Sequence, residues 1–192
     1  MKNYNFSIFN EYAKNGITES LKELNESNKS PVVVCIGSDL VLGDSLGPLV
    51  GTFLKQNFKR QFIYGTLNEP ITAKEVDYAR KYLKELHPET LIIAIDAAIG
   101  NQDDIGLIKI SNKPIKPGLG VNKNLKEIGD VSIMGIVATK SVKNYNLYNL
   151  TRLNLIYKMA KVIADGLTDY FDIFEKAQTD NLLENVSAKQ VI

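Results

Sequence analysis

Two aspartates at the ends of apolar runs are the first candidates for chemistry in this chain. Asp44 lies in the segment 37–48, which carries three glycines, a proline and a second carboxylate, Asp39, and which directly follows the apolar run 32–36. Asp96 directly follows another unbroken apolar run. Open α/β sheets keep their binding and catalytic groups at the carboxyl ends of parallel strands. The two carboxylates are therefore expected to meet at one edge of a sheet.

Two carboxyl groups at one sheet edge could work as an acid/base pair. A carboxylate that directly follows buried apolar residues is partly desolvated, which raises its pKa, and a second carboxylate nearby raises the pKa of one of them further. One group then holds a proton while the other accepts one. Such a pair can activate water to attack a carbonyl and return a proton to the leaving amine. The same oxygens could instead hold a divalent ion that generates the hydroxide.

Each of these aspartates also has a purely structural explanation. Asp44 precedes a helix that Pro48 helps to start, and this position favours aspartate as a cap or first-turn residue. Asp39 could close the loop through an Asx-turn on its own backbone. Asp96 could instead cap the structural element that follows its strand. Position alone favours the cap for Asp44 and the Asx-turn for Asp39.

Three further acidic residues lie in loops that could reach the same edge. Asp130, at the boundary of a predicted strand, is a third candidate site residue, with a turn residue after Gly129 as an equal alternative. Glu69, in the loop after another predicted strand, and Asp39 are candidate substrate-binding groups. Asp103 and Asp104 are interpreted separately, as a hairpin turn.

The chain has few histidine and cysteine side chains with which to bind a metal ion. His87 is the single histidine and Cys35 the single cysteine. His87 is predicted to end a helix beside Pro88, without a second ligand at metal-binding spacing. Cys35 lies inside an apolar run, where a thiol packs as a small hydrophobe. No metal ligand, cofactor or disulfide framework is therefore expected.

The elements that must position the aspartates alternate between strands and helices. Unbroken apolar runs are typical of strands buried on both faces of a parallel sheet. Their alternation with amphipathic stretches indicates a single three-layer αβα domain around a mostly parallel sheet. The predicted strands cover 32–36, 61–67, 91–95, 105–110 and 131–137, and the predicted helices 49–58, 73–86 and 146–171.

One domain is predicted for the whole chain 1–192. Spaced apolar residues within 1–29 predict an N-terminal extension of short amphipathic helices. The α/β core is predicted over 30–171. A weaker helical tail is predicted over 172–192, with a frayed end.

Composition and net charge restrict the partners and the location that are expected for this protein. The 192 residues are 44% hydrophobic and 23% charged, with a formal net charge of +1, so no attraction to nucleic acid is expected. The short basic cluster of Lys55, Lys59 and Arg60 is read as the end of a helix. No apolar run approaches membrane-spanning length and no signal peptide is recognised, so a cytoplasmic location is expected.

Several blocks of the sequence together resemble a known family. They are the segment 36–48 that contains Gly-Asp-Ser-Leu-Gly-Pro, the segments 65–70 and 95–98, the segment 129–137, and the segment 149–153. Over roughly 31–164 the chain resembles the sporulation proteins of the YyaC type from spore-forming Firmicutes. These are relatives of the spore germination protease and, more distantly, of the hydrogenase maturation endopeptidases.

The resemblance implies a three-layer α/β fold with a central mixed sheet of the phosphorylase/hydrolase-like kind. The proposed catalytic pair of the germination protease falls on Asp44 and Asp96. The hydrogenase endopeptidases add a histidine as a third metal-site ligand. This chain departs from that pattern, because His87 precedes Asp96 and no histidine follows it. Asp130 is the residue that could fill the third place.

The leading hypothesis is a sporulation-associated peptidase in which Asp44 and Asp96 activate water. This hypothesis implies a protein or peptide substrate and a location in the cytoplasm of the mother cell or forespore. It is compatible with a monomer or a homo-oligomer. The alternative is a non-catalytic sporulation protein that binds a peptide or a partner on the same scaffold. A third interpretation is metal-dependent hydrolysis of another amide or ester.

Overall fold

The computed structural model describes residues 2–57, 61–117, 126–139 and 151–189. The strands in these ranges are β1 (Asn3–Ser7), β2 (Pro31–Cys35), β3 (Ile63–Tyr64), β4 (Leu91–Gly100), β5 (Leu107–Ser111) and β6 (Val131–Thr139). The helices are α1 (Ala13–Leu24), α2 (Leu46–Asn57), α3 (Val76–Leu86) and α4 (Leu153–Lys189). A 3-10 turn, Leu42–Ser45, leads directly into α2.

The six strands form one mixed sheet in the order β1-β5-β6-β4-β2-β3. β2 pairs in parallel with β3 and with β4, and β4 pairs in parallel with β6. β5 runs antiparallel to β6 and to β1. Every residue of β2 is buried, as its unbroken apolar run predicts. The predicted α/β class with a mixed central sheet is confirmed.

Side-chain alternation along the strands divides the core into two layers. Val33 and Ile95 face the layer that contains α1, α2 and α4. Val34 and Ala94 face the opposite layer, where Leu83 of α3 packs. Because successive strand residues point to opposite faces, this alternation also fixes the face on which each later residue of β4 lies. Helices on both faces confirm the predicted three layers.

The first residues of the chain form a strand, so the prediction of a wholly helical extension over 1–29 is wrong. Asn3–Ser7 pairs antiparallel with β5, with Phe6 opposite Ile108. Tyr4 and Phe6 pack against the core from one face of the strand. Their two-residue spacing is a strand period, which the helical interpretation overlooked. The helical part of the extension is α1.

The last helix is longer and more continuous than predicted. α4 runs without interruption from Leu153 to Lys189, so a separate weaker helix over 172–192 is not observed. Phe171 and Phe174 are buried, which keeps the helix docked past the predicted boundary. The predicted start at Asn146 falls outside the described residues. Among the helices of the described ranges, none is long and apolar enough to cross a membrane.

Candidate active site

The loop after β2 folds back on the strand end from which it starts. The Ile36 amide donates to the Ile95 carbonyl at 2.8 Å, so β2 stops beside Ile95, whereas β4 continues to Gly100. Gly37 then turns the chain with φ 141°, and the Ser38 amide donates to the Asp44 carbonyl at 3.1 Å. A Cβ at position 37 would lie 2.0 Å from that carbonyl oxygen. The loop therefore holds the Asp44 backbone against the end of β2.

The turn that carries Asp44 is fixed from the other side by α2. The Asp44 amide donates to the Val41 carbonyl at 2.9 Å, which closes the 3-10 turn. Gly47, in the first turn of α2, approaches β2 so closely that a Cβ there would lie 2.1 Å from the Ile36 carbonyl oxygen. Gly37 and Gly47 thus allow the strand, the turn and the helix to come into contact. This contact fixes the position of the Asp44 backbone.

Asp96 lies on the neighbouring strand, within β4 and not after its end as predicted, because β4 continues along β6 to Gly100. It follows Ile95, the last residue of β4 that pairs with β2, and it is in register with Met134 of β6. Alternation places it on the same sheet face as Ala94, the α3 face. Only 7% of Asp96 is exposed. Its Oδ1 accepts a hydrogen bond from the Ala97 amide at 2.8 Å.

The two carboxyl groups influence each other electrostatically. Burial raises the pKa of Asp96 well above its ordinary value, and the charge of Asp44 raises it further, against the opposing Ala97 hydrogen bond. Burial also raises the pKa of Asp44, while the Ser38 backbone N–H favours its charged form. Burial and the Asp44 charge both disfavour a negative charge on Asp96, so the arrangement favours a protonated Asp96 beside Asp44. The structure thus places the Asp44 charge close enough to act on Asp96, the other aspartate that the sequence singled out.

Asp39 and Glu69 lie at the surface near this edge. Asp39 is exposed in the same loop as Asp44, beside Leu40, which is 88% exposed. The turn there includes a hydrogen bond from the Leu40 amide to the Ser38 hydroxyl at 3.2 Å. Glu69 is exposed, and its Oε2 lies 4.0 Å from the Lys55 Nζ. Substrate binding by Asp39 and Glu69 stays a prediction.

Asp130 is not brought to the pair. It precedes β6 at the opposite end of the sheet, where its Oδ2 accepts a hydrogen bond from the Ile92 amide at 2.9 Å. Asp130 lies four residues before Met134, the residue level with Asp96, which is about 13 Å along an extended strand. Asp130 therefore fits the alternative prediction of a turn residue, and the prediction that it is a third site residue is corrected.

His87 does not serve the pair either. It ends α3, as predicted, and its Nε2 shares a 2.7 Å hydrogen bond with the Tyr64 hydroxyl. Burial lowers its pKa, which favours the neutral ring. Within the described ranges, no three His, Cys, Asp or Glu side chains are grouped to hold a metal ion.

Two residues of this edge were given no role in the sequence interpretation. Gly37 closes the loop on Asp44, and Leu40 projects an apolar side chain from the tip of that loop. Gly37 had a signal, since a glycine directly after a buried strand often marks a sharp turn. The exposure of Leu40 had none, because a single leucine between Asp39 and Val41 has no periodicity that decides its environment.

Comparisons with known proteins identify relatives of this chain. A model of the family described as "Protein of unknown function (DUF1256)" matches residues 4–166. The chain is 44% identical over 143 residues to "Uncharacterized protein YyaC" of Bacillus subtilis, covering 74% of this chain and 70% of that protein.

A crystal structure of the [NiFe] hydrogenase maturation protease HycI from Thermococcus kodakarensis aligns with 78% of this chain and 99% of its own, at 18% identity and a TM-score of 0.46. The resemblance to YyaC-type proteins is confirmed by the relative from Bacillus subtilis. From the family match over most of its length, together with this relative, the chain belongs to the DUF1256 family.

Proposed function

We propose that this protein is a peptidase in which Asp44 and Asp96 share one proton and activate water. The observation that supports the proposal is a buried Asp96 carboxyl whose pKa is raised by burial and by the charge of the half-buried Asp44, at the edge where β2 ends. Carboxyl pairs whose pKa values are driven apart by their surroundings serve as acid and base near neutrality.

The two aspartates would take different roles because their surroundings differ. Asp96 is the more buried and keeps the proton, whereas Asp44, which is less buried, accepts one from the attacking water. The water oxygen bonds to the peptide carbonyl carbon as Asp44 takes its proton. The Asp96 proton then passes to the leaving nitrogen as the C–N bond breaks. The pair again holds one proton in total, now on Asp44, and its transfer to Asp96 completes the cycle.

The substrate class rests on the sequence resemblance. Similarity to the spore germination protease supports a protein or peptide substrate and a sporulation role in the mother cell or forespore cytoplasm. Small acid-soluble spore proteins are therefore the first substrates to try, followed by a peptide library.

Replacement of each aspartate by asparagine tests the pair against a matched control. We expect D44N and D96N each to lower peptide hydrolysis by about 100-fold or more, the usual contribution of a positioned acid or base. D130N, at the far end of the sheet, should leave hydrolysis unchanged. Mass spectrometry of cleaved products gives the rate. Full activity in both D44N and D96N would eliminate the proposal.

A non-catalytic protein that binds peptides is the second candidate. It is favoured by the 7% exposure of Asp96 and by the hydrogen bond that its Oδ1 already accepts from Ala97. A buried, protonated aspartate can be a purely structural group. Peptide binding without any cleavage product, equal in the wild type and in D96N, would favour this function.

A metal-dependent hydrolase is distinguished by its response to divalent ions. An ion that binds the native state raises the thermal midpoint. If the ion bridges the pair, that rise should disappear in D44N and D96N and persist in D130N.

A further inference from the structure

A groove lies between the last strand of the sheet and the helix that covers its face. It has a volume of about 430 Å³ and runs between β3 and α3. Tyr82 contacts Tyr64 edge to face, with ring centroids 6.0 Å apart, and stacks on Tyr78 at the same centroid distance. Tyr78 is 71% exposed and Tyr82 39%. Exposed aromatic side chains beside a groove of this size are typical of a binding surface.

The charged groups along the groove already have partners. The Lys55 ammonium lies 4.0 Å from the Glu69 carboxylate. The Glu75 carboxylate accepts a hydrogen bond from the Thr72 amide at 3.0 Å. What remains for a ligand is the apolar lining of the groove, formed by Ile63, Tyr64, Ile71, Ala79, Tyr82 and Leu83. This lining favours an apolar side chain over a charged one.

The groove is continuous with the edge that holds the aspartates. The Gly37 amide donates to the carbonyl of Ile71 at 2.9 Å, so a residue of the groove is bonded to the first residue of the Asp44 loop. Ile71 packs on the α3 face of the sheet, the face on which Asp96 lies. From β4, which carries Asp96, to β3 is two strand spacings, or about 10 Å.

We propose that this groove binds an extended segment of the polypeptide substrate and seats one aromatic or large aliphatic side chain against Tyr78 and Tyr82. At about 3.3 Å per extended residue, a side chain in the groove is about three residues from a peptide bond beside Asp44 and Asp96. The assignment rests on the proposed peptidase function. It adds a specificity site that selects substrates by an apolar residue near the scissile bond.

Binding to a library of decapeptides with one fixed position tests the groove separately from catalysis. The full chain carrying D44N is used, so that peptides are retained without being cleaved. We expect peptides with fixed Phe, Tyr or Leu to be retained about tenfold more than those with fixed Asp or Lys, the effect of burying one such side chain. Y82A should remove this preference. Y157A, at an exposed tyrosine of α4, is the matched control and should keep it.

The outcomes separate the groove from the catalytic proposal. A preference that survives Y82A, or no preference in any variant, overturns the groove. A preference that requires Tyr82 in a protein that cleaves nothing supports binding at the groove and eliminates the peptidase. In an active enzyme, Y82A should raise KM about tenfold for apolar substrates while kcat changes little. If sedimentation shows a dimer that Y82A dissociates, the groove is an interface between two copies and the proposal is overturned.

Discussion

The two ends of the central sheet each present an aspartate beside a strand, but only one end builds a pair. Asp96 follows the last residue of β4 that pairs with β2, is almost wholly buried, and is affected by the charge of Asp44. Asp130 precedes β6, is exposed, and uses its carboxylate to accept a hydrogen bond from Ile92. The first aspartate is buried beside a second carboxylate, whereas the second secures the start of two strands.

Strand direction explains this difference. Parallel strands β2, β4 and β6 all run toward the edge where the loop after β2 folds back. β4 and β6 continue past the end of β2, to Gly100 and Thr139, so a residue of β4 beyond Ile95 can meet that loop. A residue before a strand lies at the other edge, whatever its type. A carboxylate beside an apolar run therefore becomes a site candidate only when the run precedes it, as in open α/β sheets generally.

The largest expected effect that sharpens this comparison comes from G37A, which would displace the loop that carries Asp44. The added Cβ would lie 2.0 Å from the Asp44 backbone oxygen, and φ 141° is strained for alanine. Overpacking and backbone strain together should cost about 2–5 kcal/mol of unfolding free energy. Urea denaturation measures this loss, and peptide hydrolysis should fall with it.

G106A provides the matched control, because Gly106 also has a positive φ, 89°. The nearest atom to its added Cβ is Cε2 of Phe9, an exposed side chain, at 3.1 Å. A side chain can move where a backbone carbonyl cannot, so we expect a loss of about 1 kcal/mol and unchanged hydrolysis. Equal losses in the two variants would contradict the role assigned to the Gly37 turn.

A smaller and pH-dependent effect is expected from D96N. Burial and Asp44 raise the pKa of Asp96 in the folded state above its unfolded value near 4. Stability from this group is therefore full below the unfolded pKa and is lost as pH rises through the folded pKa. Asparagine stays neutral and can still accept from the Ala97 amide. We expect D96N to gain about 1 kcal/mol or more over the wild type at pH 7 relative to their difference at pH 4.

Thermal denaturation at the two pH values measures this gain, at about 2–4 °C per kcal/mol for a chain of this size. The same substitution in a D44N background should gain less, because the repelling charge of Asp44 is already gone. A stability difference that is the same at both pH values would show that Asp96 carries no unfavourable charge in the native protein.

The sequence predicts the end of the sheet that holds Asp44 and Asp96 better than the edge strands. Buried strands such as β2 consist of apolar residues on both faces, so local composition alone identifies them, and the order of strand and loop places Asp44 and Asp96. The sequence predicts helix where β1 forms, because the five residues Asn3–Ser7 present only two inward side chains. Two side chains are too few to distinguish the two-residue repeat of a strand from the repeat of a helix. The edge strand β3 is shorter than its apolar run suggests, since pairing with β2 covers only Ile63 and Tyr64.

The groove could not be predicted, because its walls are separated in the chain. Tyr64 belongs to β3, whereas Tyr78 and Tyr82 belong to α3, and only the packing of α3 on the sheet brings the rings together. In the sequence the two tyrosines of α3 are helical residues at i and i+4, which fits a core-facing stripe equally well. Tertiary contact, not local pattern, decides that they face the groove.

The smallest expected effect belongs to the other end of the sheet. D130A removes the acceptor of the Ile92 amide while leaving the backbone bond from the Asp130 amide to the Ile92 carbonyl at 2.7 Å in place. Loss of one hydrogen bond at an exposed position should cost about 0.5–1.5 kcal/mol, seen as a lower urea midpoint. D130N keeps an acceptor oxygen and should cost less. Neither variant should change hydrolysis or peptide retention, because the structure separates Asp130 from both Asp96 and the groove. A drop in hydrolysis without a matching loss of stability would mean that the two ends of the sheet are functionally connected.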